Sequence, residues 1–341
     1  MNKFTHLHTH SHYSLLTALP KIDDLVAEAE KNSMTSLALT DNGNLYAAIE
    51  FYKTCKKKGI KPIIGVDFYI AARNRKDMQP GIDNRRSRLI LLAMNETGYK
   101  NLIRLVTDSN LEGFYYKPRI DKELIEKYNE GLIAISPSFS GEIAQALKSR
   151  NQDKAREITE FYKRIFKSED LGEGYPHPDS NPRLYIEITR HPEIDGHEEN
   201  MRTLVEFAHK ENVPIMAAHD VYYLHPEDRF ARETLVRVNS HSDSSEKISD
   251  SDEDDFSFIS QERAEELFKD LPEALENTTK IADRCNLEIN LGNWVFPAFT
   301  VESGRTPDDE LCYLVFEGFA QRNVTQTDEL TKRAEYELKI I

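Results

Sequence analysis

The sequence predicts an α/β protein of seven strands alternating with helices, for which a closed or nearly closed barrel competes well with a doubly wound sheet. Two patterns carry that prediction. Runs rich in β-formers recur at residues 4–8, 36–40, 62–71, 88–94, 132–136, 183–189 and 214–218, with helical segments between them. Such alternation implies a mostly parallel sheet with right-handed crossovers, and seven strands suit a barrel as well as a doubly wound sheet. The second pattern is polar punctuation of the strand ends. His8 and His10 end the first run, Asp41 and Asn42 follow the second, and Asp67 lies within the third. Ser136 and Ser138 end the fifth, Glu187 is near the end of the sixth, and His219 and Asp220 follow the seventh. In a parallel barrel these ends converge on one face, so these distant residues are expected in a single cleft.

The helices between the strands have the required period. Ile22, Leu25, Val26 and Ala29 stand at i, i+3, i+4 and i+7, as do Leu45, Ala48, Ile49 and Tyr52, and again Met201, Leu204, Val205 and Ala208. After Asp220 the pattern changes. Residues 240–255 are rich in Ser, Asp and Glu and read as a mobile loop. Helices are predicted at 261–268, from Pro272 to about residue 284, and at 328–341, with an extended segment at 293–299. The last helix stops on Leu338-Lys339-Ile340-Ile341 with no glycine or polar cap, so more polypeptide is expected beyond it.

Composition narrows the function. The chain has 341 residues and a net charge of −15, which argues against an autonomous nucleic-acid binder. The charge is uneven. Lys53, Lys56, Lys57, Lys58 and Lys61 form one basic cluster; Arg73, Arg75, Lys76, Arg85, Arg86 and Arg88 form another; residues 243–255 hold seven acids and one lysine. No stretch approaches the roughly 20 apolar residues of a membrane helix, and no signal peptide is evident. Three scattered cysteines, Cys55, Cys285 and Cys312, suit a reduced, cytoplasmic protein without a disulfide framework. Glycine loops for nucleotides, Ser–His–Asp arrangements and paired zinc cysteines are not seen.

The densest chemical signal is His6-Leu7-His8-Thr9-His10-Ser11-His12, which holds four of the eleven histidines. Imidazole is the commonest metal ligand, and in an extended strand alternate residues share a face. All four rings are therefore expected to point one way. Phe4 and Leu7 give the run a buried-strand character that an expression tag lacks.

Three motifs carry a family resemblance. His8-Thr9-His10-Ser11-His12-Tyr13-Ser14-Leu15-Leu16, Leu39-Thr40-Asp41-Asn42-Gly43-Asn44 and Gly59-Ile60-Lys61-Pro62-Ile63-Ile64-Gly65 resemble the opening motifs of the polymerase and histidinol phosphatase (PHP) domain. Further blocks, among them Leu111-Glu112-Gly113-Phe114-Tyr115-Tyr116-Lys117-Pro118-Arg119, Asp220-Val221-Tyr222-Tyr223-Leu224 and Pro272-Glu273-Ala274-Leu275, are similar to the alpha-subunit family of bacterial DNA polymerase III. The resemblance implies a distorted seven-stranded (β/α) barrel of PHP type over residues 1–275. It also implies that 276–341 are a small α+β segment opening the polymerase palm, with the palm's catalytic aspartates beyond Ile341.

The resemblance further implies about nine His, Asp, Glu or Cys ligands for up to three divalent ions. Here His8, His10 and Asp220 match that pattern, and Asp67 stands where a glutamate is usual. Thr17, Asn42, Arg88, Ser138 and Tyr222 depart from it. Neutral hydroxyls and amides are weak ligands, and arginine adds fixed positive charge. The expectation is a degenerate cleft that could hold one weakly bound Zn, Mn or Mg ion on His8, His10, Asp67 and Asp220, helped by His12 or His219. Arg88 is expected to pair with Asp67 or Asp220; Asp41, Asn42, Ser138, Glu187, His219 and Tyr222 are expected to line the cleft.

A structural and interaction domain of a replicative polymerase alpha subunit follows, with the rest of that subunit, the replisome and a proofreading exonuclease subunit as partners, and DNA met through the full-length protein. An active metal-dependent 3′→5′ exonuclease is the alternative. A free-standing phosphatase for a small phosphomonoester is a third reading.

Overall fold

The computed structural model describes residues 4–167, 182–239, 255–294, 297 and 300–341. The acidic loop expected at 240–255 lies outside them except for Asp255, as does part of the extended segment 293–299. The strands are β1 (Ser36–Leu39), β2 (Lys61–Ala71), β3 (Arg86–Ala93), β4 (Phe114–Tyr115), β5 (Lys117–Ile120), β6 (Leu132–Ser136), β7 (Leu184–Ile188) and β8 (Ile215–Ala217). They form one sheet in the order β4-β5-β2-β3-β6-β7-β8, with β1 also paired to β2. The helices are α1 (Ile22–Lys31), α2 (Ala48–Lys58), α3 (Glu96–Leu111), α4 (Lys122–Lys127), α5 (Glu142–Lys148), α6 (Gln152–Ile165) and α7 (His197–Lys210). They continue as α8 (Arg229–Asn239), α9 (Gln261–Leu267), α10 (Pro272–Arg284), α11 (Pro307–Gln321) and α12 (Asp328–Ile340).

Six of the seven predicted strands are present. The seventh, residues 4–8, is not a regular strand, yet it performs a strand's task. The Ala38 and Thr40 amides donate to the His6 and Thr9 carbonyls on one side. On the other, Val221 N–H donates to His8 and His10 N–H donates to Val221. Segment 4–10 thus joins β1 to the chain leaving β8 and brings the sheet round on itself. The sheet is less parallel than expected. β1 with β2, β2 with β5, β6 with β7 and β7 with β8 are parallel, but β3 runs antiparallel to both β2 and β6. The β2–β3 connection, residues 72–85, holds no helix, and a parallel return needs a crossover of that kind.

Alternation along the strands divides the apolar residues into two layers. Leu37, Leu39, Ile64, Val66, Leu132 and Ala134 face outward, in one apolar cluster with Ile22, Leu25, Val26 and Ala29 of α1. Ala38, Ile63, Ile90, Leu92, Ile133, Ile135, Tyr185 and Met216 face inward and meet Ile281, Ala282 and Cys285, from α10 and the residue after it. Each such leucine, isoleucine, valine or methionine contributes about 1.5–3 kcal/mol by leaving water. Further along the same inward faces, two residues on per step, the apolar row gives way to Asp67, Arg88 and Glu187. The barrel interior is therefore sealed by hydrocarbon at one end and ionic at the other.

The chain divides into two compact units, 1–289 and 290–341. The expected boundary at 275/276 falls inside α10. That helix is tied into the first unit by Thr278, whose hydroxyl accepts from the Thr5 amide, and by Lys61, which donates to the Ala282 carbonyl. In the second unit, where an α+β segment was expected, the described residues hold helices α11 and α12 and no strand. No helix among the described residues is long and apolar enough to cross a membrane.

Candidate metal centre

Of the four histidines in the opening run, only His8 and His10 reach the polar end of the barrel, with ring centroids 5.0 Å apart. The expectation that all four share a face fails because the segment bends at His8 and turns again over residues 11–14. Ser11 N–H and Oγ–H both donate to Asp41, at 2.7 Å each, and Ser14 N–H donates back to the Ser11 carbonyl, closing a turn. His6 instead packs between Phe4 and Phe258, its Nε2 2.9 Å from the Ile259 carbonyl. His12 lies against Tyr13, with Nδ1 3.3 Å from the Pro20 carbonyl.

His8 Nδ1 lies 2.7 Å from Glu187 Oε2. Glu187 is in turn fixed by Ser138, whose amide and hydroxyl both donate to Oε1 at 3.0 Å. His10 Nδ1 lies 3.2 Å from both the Val221 carbonyl and Asp220 Oδ1. With Nδ1 engaged on each ring, Nε2 is the free nitrogen, as in metal-binding histidines whose other nitrogen is held by a carboxylate or carbonyl. Both Nε2 atoms are buried without a hydrogen-bond partner, and so is Asp220 Oδ1. They stand 3.4 and 3.6 Å from Asp67 Oδ2, close but not aligned as hydrogen bonds. Ligand atoms of His8, His10 and Asp67 lie within 4.8 Å of one another. Asp220 approaches the same rings, 3.3 Å from His8 Nε2.

Arg88 fills the next position. Its guanidinium donates to both oxygens of Asp67, Nε at 3.0 Å, and also to Asn42 Oδ1. Asn42 Nδ2 donates at 3.0 Å to Thr17 Oγ1. Three of the departures from the resemblance pattern, Thr17, Asn42 and Arg88, are thus joined in one hydrogen-bonded chain that ends on a candidate ligand. Ser138 has become the clamp of Glu187. Tyr222 stacks on His10 at 4.4 Å and 7°, and the Arg232 guanidinium covers the Tyr222 ring, 4.5 Å from its centroid.

Charge balance follows from this packing. Burial opposes ionisation of Asp67, but Arg88 and the nearby His10 and His8 rings hold its carboxyl well below the usual range. Burial likewise opposes charge on His8 and is outweighed by Asp220 and Glu187, so that imidazole stays protonated well above its usual pKa. His10 is raised too, again against burial, chiefly by Asp220. Asp67, Glu187 and Asp220 therefore face Arg88 and two imidazolium rings. Once both rings shed their Nε2 protons, the donor set could hold one divalent ion on those two atoms and Asp67. It does not suit a cluster of ions, because a fixed guanidinium already occupies both Asp67 oxygens.

Two of the expected cleft residues serve elsewhere. Asp41 is spent on the 11–14 turn, and burial raises its pKa despite hydrogen bonds from Ser14 and Ser11. His219 is stacked on His191 at 4.9 Å rather than aimed at His8. Sequence reasoning missed Ser11, Ser14 and Arg232. Turn serines carry a recognisable local preference, but nothing in the local pattern singles out Arg232.

The family profile for the PHP domain matches residues 6–191, more than half of the chain. The chain belongs to that family. Its relatives include the DNA polymerase III alpha subunits of Borreliella burgdorferi, 39% identical over 100% of this chain and 29% of that protein, and of Treponema pallidum, 33% identical over 99% and 28%. The Campylobacter jejuni alpha subunit is 36% identical over 88% of this chain and 24% of its own length. This PHP chain therefore spans less than a third of the curated relatives it matches. Among solved structures, a protein from Bifidobacterium adolescentis described as a metal-dependent phosphoesterase overlaps 63% of this chain and 86% of its own, with 8% identity and a TM-score of 0.41.

Proposed function

We propose that this chain is the PHP portion of a bacterial replicative DNA polymerase alpha subunit, acting as a structural and interaction domain whose metal centre has degenerated. The boundary we assign to it is the end of α10 rather than residue 275. Its partners on this reading are the remainder of the alpha subunit, the replisome and a proofreading exonuclease subunit, with DNA bound by the full-length protein. The relatives' identities support the polymerase setting. The observation that carries the loss of activity is the Arg88 guanidinium on both oxygens of Asp67.

A hydrolytic cluster needs anionic and imidazole ligands to hold its ions and to acidify water. In this chain Arg88 supplies fixed charge where such ions would sit, and Thr17, Asn42 and Ser138 bond to protein groups instead. One Zn, Mn or Mg ion on His8, His10 and Asp67 remains compatible with the donors and would supply Lewis acidity there.

Elemental analysis of the purified protein, paired with a 3′→5′ exonuclease assay in Mn²⁺ or Zn²⁺, tests this. At most one ion per chain and no exonuclease activity are expected. Two or more tightly held ions, with activity lost in His8→Ala, would establish the exonuclease reading instead.

A further inference from the structure

The β4–β5 hairpin carries chemistry that the metal centre does not use. Phe114 and Tyr116 are 54% and 58% exposed, and Tyr115 lies edge-on to Tyr116 at 4.7 Å. Tyr116 occupies the hairpin turn with φ +61°, a backbone conformation that is uncommon for a bulky residue.

Cations lie over Tyr115 and over Tyr69 on the neighbouring strand β2. Lys117 Nζ and Arg86 Cζ stand 5.9 and 5.7 Å from the centroid of Tyr69, and Arg119 Cζ is 5.2 Å from that of Tyr115. Residues 72–88 hold six arginines and lysines against two acids, in a chain whose net charge is −15. Arg73 and Arg75 are neutralised by Asp83 and Asp121, whereas Arg85 is exposed with no acid partner among the described residues.

The platform is firmly held. Arg119, fully buried, donates to the carbonyls of Gly113, Asp83, Arg75 and Asp77. Pro118 packs on Gly43, where φ is +64° and an added Cβ would come within 3.0 Å of Pro118 Cγ. Gly43 follows Asn42, the partner of Arg88, so the hairpin adjoins the ionic end of the barrel.

We propose that this hairpin binds single-stranded nucleic acid, with bases stacking on Phe114 and Tyr116 and phosphates facing Lys117, Arg86 and Arg85. Exposed aromatics interleaved with cations are the two halves of single-strand recognition, because unpaired bases offer π-faces that a duplex hides. An acidic protein segment would use the cations and leave the aromatics idle. The proposal goes beyond the structural reading above and requires neither a metal ion nor catalysis.

The test is fluorescence anisotropy of a labelled oligothymidylate and of a matching duplex against the full chain, without added divalent ions. The single strand is expected to bind more tightly than the duplex. Phe114→Ala combined with Tyr116→Ala should weaken it about tenfold or more. Lys117→Glu should weaken it and reduce the salt slope by about one, while Lys57→Glu, on the exposed end of α2, leaves it unchanged. Thermal melts establish that each variant is folded. The proposal falls if no binding is seen, if the aromatic variants bind normally, or if Lys57→Glu and Lys117→Glu act alike. Retained oligonucleotide binding alongside loss of a protein partner would assign the hairpin to that partner and overturn it too. Metal content and exonuclease activity are not read here, so failure of this proposal is separable from failure of the degenerate-centre reading.

Discussion

A guanidinium keeps its charge at any pH a protein survives, so Arg88 acts beside Asp67 as a cation that cannot dissociate. Replacing it tests the centre directly. Arg88→His should free the Asp67 oxygens and raise bound Zn or Mn toward one ion per chain, measured by elemental analysis. Asp67→Asn should have a different consequence, because it strands a mostly buried guanidinium. A loss of about 3 kcal/mol or more is expected in urea unfolding, the usual scale for breaking one partner of a buried pair. His197 gives a pH dependence away from the ligands. Burial, aided by the neighbouring His191, lowers its pKa from 6.5 to about 4. The unfolded chain then binds more protons between these values, so stability falls as pH drops from about 6.5 toward 4, by roughly 3 kcal/mol. Urea midpoints at pH 7 and pH 4.5 should differ less in His197→Gln; an equal difference would count against this assignment. Strand-end polarity gathered His8, His10, Asp67 and Asp220 among other cleft candidates, and the family resemblance singled them out as ligands. Neither could say that His8 Nδ1 meets Glu187, since that depends on two segments remote in sequence meeting at one depth.

At the scale of elements, the helices were the most legible features and the opening segment the least. The spacing of Ile22, Leu25, Val26 and Ala29 defines the buried face of α1, because a helix repeats its face without outside help. By contrast, residues 4–10 are extended only because β1 and the Val221 region offer hydrogen-bond partners on either side. Loop 72–85 depends on tertiary context in the same way. Its carbonyls at Arg75, Asp77 and Asp83 are satisfied by the single buried guanidinium of Arg119. Arg119→Met should therefore strip three loop carbonyls of their donor. Limited proteolysis is expected to cut within 72–85 in this variant well before the rest of the barrel, and equal resistance in variant and parent would refute the clamp.

For the whole molecule, α10 decides where the barrel unit ends. Ile281, Ala282 and Cys285 fill the barrel's apolar end, and the Asn286 amide donates to the Met94 carbonyl. A chain ending at Leu275 should lose cooperative thermal unfolding, whereas one ending at Ile289 should keep it, as followed by circular dichroism. Matching melts for the two would place the unit's boundary earlier.

The sequence by itself determined the α/β class, the family, the helix faces and the strand ends where ionic chemistry gathers, because these rest on local periodicity and on motifs. Tertiary structure alone decided that β3 runs antiparallel, that two of four clustered histidines turn away, and that Arg88 sits on Asp67. Those outcomes depend on which distant groups reach one another in a buried space, where an unpaired charge or polar atom is too costly to leave.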